Sequence, residues 1–285
     1  MLSKPNYMKN KINYKDYEYR LPKSIKVPKR KFKFFYLLKM IFKNRKNFIK
    51  AGFRHIFKKF DVIINNKNYI RRFSYTLGEY INWSIIDKKF LHSINWRGYP
   101  CRKLPSDLWI LQEIIFQNKP DVIIEIGSLH GGSAVFINDL LSTINHGVLI
   151  SIDISHDTFL FKSKLITKIT GSSSDPAIVN KVKKLIQNKS VMVIHDGDHS
   201  YSQVLADLKI YSEFVTLGQY LVVEDSIIDF LNPRISKIPF MYKNGGPYKA
   251  INEFLFKNKN YTVDFSREKF IMTHNPSGYL KRIRK

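Results

Sequence analysis

The chain has 285 residues, 44% of them apolar and 14% aromatic, which suffices for one substantial buried core plus an appendage. Its formal charge is +25. The single cysteine, Cys101, excludes an intrachain disulfide and any cysteine-rich zinc site, and points to a reducing, cytoplasmic setting.

The charge is uneven. Residues 1–60 carry 19 Lys plus Arg against only Asp16 and Glu18, a net +17 that leaves +8 for the rest. The first 30 residues are rich in Lys, Asn and Tyr, contain Pro5, Pro22 and Pro28, and read as extended or partly disordered. From Phe32 to Phe60, apolar residues such as Ile49, Phe53, Ile56, Phe57 and Phe60 recur at helical spacing among basic ones, so the spacing predicts a basic amphipathic helix or two short ones. No run there reaches the roughly 18 apolar residues of a spanning helix, and none resembles a signal peptide. Two readings of residues 32–60 stand level. The helix lies on an anionic membrane surface, which would place the protein peripherally on the inner membrane face, or its Phe/Ile side packs on the main domain or on a second copy in a homo-oligomer. Positive charge also attracts phosphate, but no nucleic-acid motif accompanies it and no nucleic-acid partner is expected.

Residues 61–110 read as a bridging segment, and 111–285 as the main domain. In DVIIEIGSLHGGSAVFINDLL (Asp121 to Leu141) a buried strand, a glycine-rich turn and a helix follow one another. This is the layout of a nucleotide or cofactor cradle, although the spacing of Gly127, Gly131 and Gly132 departs from the dinucleotide fingerprint. His130, inside that loop, fits a ligand contact and a loop-filling role equally. The next apolar run ends in Asp153, where a doubly wound domain holds a ribose diol. Further strands are expected at Thr167 to Thr170, Val191 to His195 and Leu221 to Glu224, with a closing antiparallel pair at Thr262 to Phe265 and Phe270 to Thr273. Helical patterns separate the first five strands and predict a mostly parallel, doubly wound α/β sheet.

Two of these strands end in acids. VMVIHDGDHS delivers Asp196 and YLVVEDS delivers Glu224 and Asp225 to one sheet edge, which suggests a metal site. His199, three residues past Asp196, adds a group that titrates near neutrality. Asp196, Asp198 and His199 also suit a turn that caps a helix beginning near Ser202, with Asp198 as the turn residue. His195 reads as a core histidine with its hydrogen bonds satisfied.

The series DLWILQEII, KPDVIIEIGSLHGGSA, ISIDIS, ITGSSSD, VIHDGDHSY, YLVVEDS and THNPSGYLKR resembles the cephalosporin-hydroxylase-type and rhamnosyl O-methyltransferase family from about Trp96 to Arg282. The resemblance implies a Rossmann-like fold and an O-methyltransferase that uses S-adenosylmethionine and Mg2+. It would place the cofactor's methionine end near Glu125, Gly127, Ser128 and Gly131, its ribose at Asp153, its adenine near Ser172 and Ser173, and the metal at Asp196, Glu224 and Asp225. His199 then stands where catechol-type O-methyltransferases carry a lysine base and macrolide sugar methyltransferases a histidine. That favours a sugar-containing acceptor in a glycan or glycosylated small molecule, hence a place in polysaccharide biosynthesis. By the same resemblance the bridging segment of 61–110 helps cover the active site, so that Trp96, Arg97 and Asp107 approach the substrate, while Trp109 and Ile110 pack in the core.

The chemistry is coherent without the family. A sugar hydroxyl is a poor nucleophile, and a methyl sulfonium is already activated, so the protein has mainly to deprotonate the hydroxyl and aim it. A hard cation and the base His199 are suited to that. A metal-dependent oxygenase or hydrolase remains an alternative, as does a noncatalytic anionic-lipid-binding protein that keeps the fold.

Overall fold

The computed structural model describes residues 94–231 and 244–284. The basic segment of residues 1–60, the membrane reading of 32–60 and most of the bridging segment lie outside the described residues. Among those described, no helix is long and apolar enough to cross a membrane.

A short antiparallel pair, β1 (Asn95–Trp96) and β2 (Tyr99–Pro100), leads into α1 (Pro105–Asn118), which opens on a proline whose missing N–H costs a first turn nothing. Then follow β3 (Val122–Ile126), α2 (Gly132–Ile144), β4 (Val148–Asp153), β5 (Ile166–Thr170), α3 (Pro176–Leu185), β6 (Val191–His195), α4 (Tyr201–Tyr211) and β7 (Tyr220–Val223). A 3-10 turn (Ser226–Phe230), α5 (Pro247–Lys257), β8 (Tyr261–Val263) and β9 (Tyr279–Arg282) complete the order. The sheet runs β5-β4-β3-β6-β7-β9-β8. Its first five strands are parallel, and β9 inserts antiparallel to both β7 and β8.

Near-continuous apolar strands are what a sheet covered on both faces requires. Val122, Ile124 and Ile126 of β3 pack with Val182 of α3, Leu208 of α4 and Ile251 of α5, whereas Ile123 packs with Leu111 of α1 and Ile137 of α2. Each such side chain, removed from water, contributes roughly 1.5–3 kcal/mol. The chain leaves β3 for β4 and β5 and then returns to β6 on β3's other side, so a crevice opens at the strands' carboxyl ends.

The closing strand departs from expectation. Phe270 to Thr273 is not a strand, and β9 is Tyr279–Arg282. Phe270, Ile271 and Met272 are exposed, and Ile271 has φ +65°, a left-handed conformation that no β-branched strand residue adopts. The preceding strand, β8, ends at Val263, before the expected Phe265, which opens a 3-10 turn.

Candidate active site

Side-chain alternation decides which acids meet. In β3, Glu125 shares the α1/α2 side of the sheet with Ile123; in β6 and β7, Ile194 and Val222 face the same way, and the alternation continues to Asp196 and Glu224. Three carboxylates therefore reach one side at the ends of adjacent strands. The segment that enters α1 passes over them and inserts Lys103, which is 4% exposed. Its ammonium donates to Asp196 Oδ2 at 2.6 Å and to Glu224 Oε2. Burial opposes that charge, but Asp196, Glu224 and Glu125 outweigh it and hold the ammonium's pKa well above the usual lysine range.

The acids respond differently. Burial disfavours ionisation of Asp196, yet Lys103 and His199 prevail and hold its carboxyl below the usual range. Glu224 is raised by burial that Lys103 only partly offsets, and its Oε1 has no hydrogen-bond partner. Glu125 is fully buried, and burial, offset only in part by Lys103 and Ser133, pushes it up to about 7.

Asp225 breaks the alternation. Its φ of +56° is left-handed, a strained choice for a non-glycine residue of the kind that gathers at functional sites. Two successive acids consequently part, Glu224 toward Lys103 and Asp225 toward two histidines. His199 Nε2 lies 3.4 Å from Asp196 Oδ1 and 3.5 Å from Asp225 Oδ2, and His274 Nδ1 lies 3.6 Å from Asp225 Oδ1. Burial works against a charge on His199, but Asp196, Asp225 and Glu224 overcome it and raise its pKa to about 8. One ligand atom from each of Asp196, His199 and Asp225 falls within 4.8 Å of the others; the two carboxylates suit a hard divalent cation, and the imidazole stands beside them.

These groups form one wall of a cleft of about 650 Å3, a size suited to a small-molecule site. Gly127, Ser128, Asp153, Ser172, Ser173, Asp196, His199 and Asp225 all line it, so the structure gathers most of the expected residues. Asp153 Oδ2 accepts from the backbone N–H groups of Ser128 (2.8 Å) and Leu129 (2.9 Å), tying the glycine loop to the tip of β4. Ser173 Oγ donates to Asp207 Oδ2 at 3.0 Å, and the same carboxylate oxygen is 3.0 Å from His195 Nε2; His195 is buried in the core as expected, but its Nδ1 has no hydrogen-bond partner, so the ring is only half satisfied. Asp198 is a turn residue whose Oδ1 accepts from Ser200 N at 2.7 Å.

Three expected residues are not in the wall. Glu125 lies beneath it, Gly131 is packed against Phe159, and Glu224 is turned to Lys103. Trp96 and Arg97 do not approach the cleft either; both donate to Asp139 of α2, at 2.8 Å each. Asp107 is buried and accepts from Thr273 Oγ1 (2.6 Å), His274 N (2.9 Å) and Tyr279 OH (3.1 Å), so it holds the C-terminal segment in place. Trp109, expected in the core, is 58% exposed because it faces out from α1, whereas Ile110 is buried. Sequence reasoning missed Lys103 and His274. The first had only a proline-flanked cover segment as a signal, the second only its place in THNPSG.

The family model Rhamnosyl O-methyltransferase/CmcI matches residues 88–283. A rhamnosyl O-methyltransferase of Mycobacterium leprae is 35% identical over 199 residues, covering 67% of this chain and 84% of that one. One from Mycobacterium bovis is 34% identical over 194 residues, covering 65% and 76%. Among solved structures, a CmcI Mg-SAM structure aligns with a TM-score of 0.53 at 20% identity, over 67% of this chain and 77% of that one, a likeness of fold. With the family's extent matching the whole described fold, the chain belongs to the rhamnosyl O-methyltransferase/CmcI family and is an O-methyltransferase.

Proposed function

We propose that this chain transfers the methyl group of S-adenosylmethionine to a hydroxyl of a sugar-bearing acceptor, with Mg2+ at the acidic edge. The observation that carries this reading is His199, placed in the cleft wall between Asp196 and Asp225 in a member of a family named for rhamnosyl O-methylation. The glycine loop at Gly127 and Ser128 would receive the cofactor's methionine end, Asp153 its ribose, and Ser172 and Ser173 its adenine edge. Asp196 and Asp225 would hold the cation, with the unpartnered Oε1 of Glu224 as a further oxygen. When bound, the cation supplies a lowered pKa for the acceptor hydroxyl.

His199 takes the hydroxyl proton at Nε2 while the acceptor oxygen forms its bond to the methyl carbon and the carbon–sulfur bond breaks. Such proton transfer contributes typically a hundred- to ten-thousand-fold in rate. The cover segment and the glycine loop restrict water and orientation in the cleft, which contributes through alignment.

The test is mass spectrometry of rhamnosides, other glycosides and catechols incubated with methyl-deuterated S-adenosylmethionine. A labelled methyl on a sugar hydroxyl is expected. Label confined to catechols, or none on any acceptor while the cofactor binds, would overturn the acceptor class.

A further inference from the structure

Asp196 is shared. Its Oδ2 accepts from Lys103 Nζ at 2.6 Å, while its Oδ1 lies 3.4 Å from His199 Nε2 in the group that converges as a cation site. One carboxylate thus carries a buried ammonium on one oxygen and the cation position on the other. Glu224 repeats the division, with Oε2 on Lys103 and Oε1 buried without a partner. Lys103 itself is 4% exposed and comes from a segment 93 residues before Asp196 in sequence.

We propose that Lys103 is a built-in cation that competes with the divalent ion for Asp196 and Glu224 and so sets how tightly that ion is held. The proposal rests on the reading of the acidic edge as a cation site. Two positive centres one carboxylate apart repel each other, and in a buried site that repulsion is screened far less than in water. The ammonium also neutralises charge that would otherwise draw the ion in. With Lys103 in place, Asp196 and Glu224 keep a cationic partner when no ion is present, while Asp225 faces His199 and His274. Without it, Glu224 loses its cationic partner and Asp196 keeps only His199, so both are freer to face the ion.

The experiment is direct titration of the full-length protein with Mn2+, read by the loss of the free-ion electron paramagnetic resonance signal, with Mg2+ as competitor. Lys103→Met should bind Mn2+ more tightly than wild type by roughly tenfold or more, the direction set by removal of a like charge at close range. Lys103→Gln should shift the same way, and Lys103→Arg, which keeps the charge, should stay near wild type. Binding by the neutral variants that equals or falls below wild type overturns the proposal and leaves the cation site standing. Absence of binding in wild type and variants alike overturns both. A neutral variant that folds only in Mn2+ supports the proposal, since a ligand that binds the native state alone stabilises it, and one that Mn2+ does not rescue overturns it.

Discussion

At the scale of single residues, the proposed proton transfer turns on His199. Its pKa of about 8, against an ordinary 6.5, means that in cation-free protein its charge stabilises the fold fully below pH 6.5, and that this contribution is lost as pH rises through 8. The cation-free melting temperature should therefore fall more across that window in wild type than in His199→Gln; equal falls would show that His199 does not gain its proton from these acids. Turnover should run the opposite way and rise with pH, because a base must be neutral to accept a proton. His199→Ala should lose roughly a hundredfold or more in kcat with little change in cofactor affinity, and a variant that keeps most of its turnover would remove His199 from the proton transfer. Asp153→Ala should weaken S-adenosylmethionine binding in calorimetry, since it removes both the proposed ribose partner and the anchor of Ser128 N and Leu129 N. Unchanged affinity would unseat that assignment. The acids and His199 were legible because each closes or follows an apolar run. Lys103 was not, since Arg102 and Lys103 side by side look like ordinary surface, and only the path of the chain over the strand ends buries one of them.

At the scale of elements, two joints hold the site together. Gly127 has φ +85°, and a Cβ there would lie 2.1 Å from the Asp196 carbonyl oxygen, so β3 and β6 meet in a contact no larger side chain admits. Asp107 joins α1 to the C-terminal segment through Thr273, His274 and Tyr279, which brings His274 to Asp225. Asp107→Ala leaves three buried groups short of an acceptor, each worth roughly 1–3 kcal/mol. Chemical denaturation should show a loss of at least about 2 kcal/mol, the scale of large single-site effects, and a near-neutral result would contradict the role of this joint. The five parallel strands could be read from apolar runs alone because a sheet buried on both faces demands them. The closing strand could not, because Phe270, Ile271 and Met272 have the composition of a strand and an exposed, left-handed backbone instead, while YLKR, polar at its end, pairs with β7 and β8. Trp109 misled for a related reason, in that a tryptophan on a helix is an expectation of burial and not a measure of it.

At the scale of the molecule, the sheet brings together residues more than 120 positions apart along the chain, as Lys103 and Glu224 are. That distance is why composition and periodicity lead to the fold and the acidic edge but not to the internal ammonium that balances it. The proposed function requires methyl transfer to depend on a divalent cation held at this edge. It is tested most directly by the initial rate of methyl transfer to a rhamnoside in chelator, followed by stepwise return of Mg2+. In wild type the rate should be near zero in EDTA and recover with added Mg2+, and in Asp196→Ala it should not recover. Full turnover in chelator, or an undiminished rate in Asp196→Ala, would contradict it.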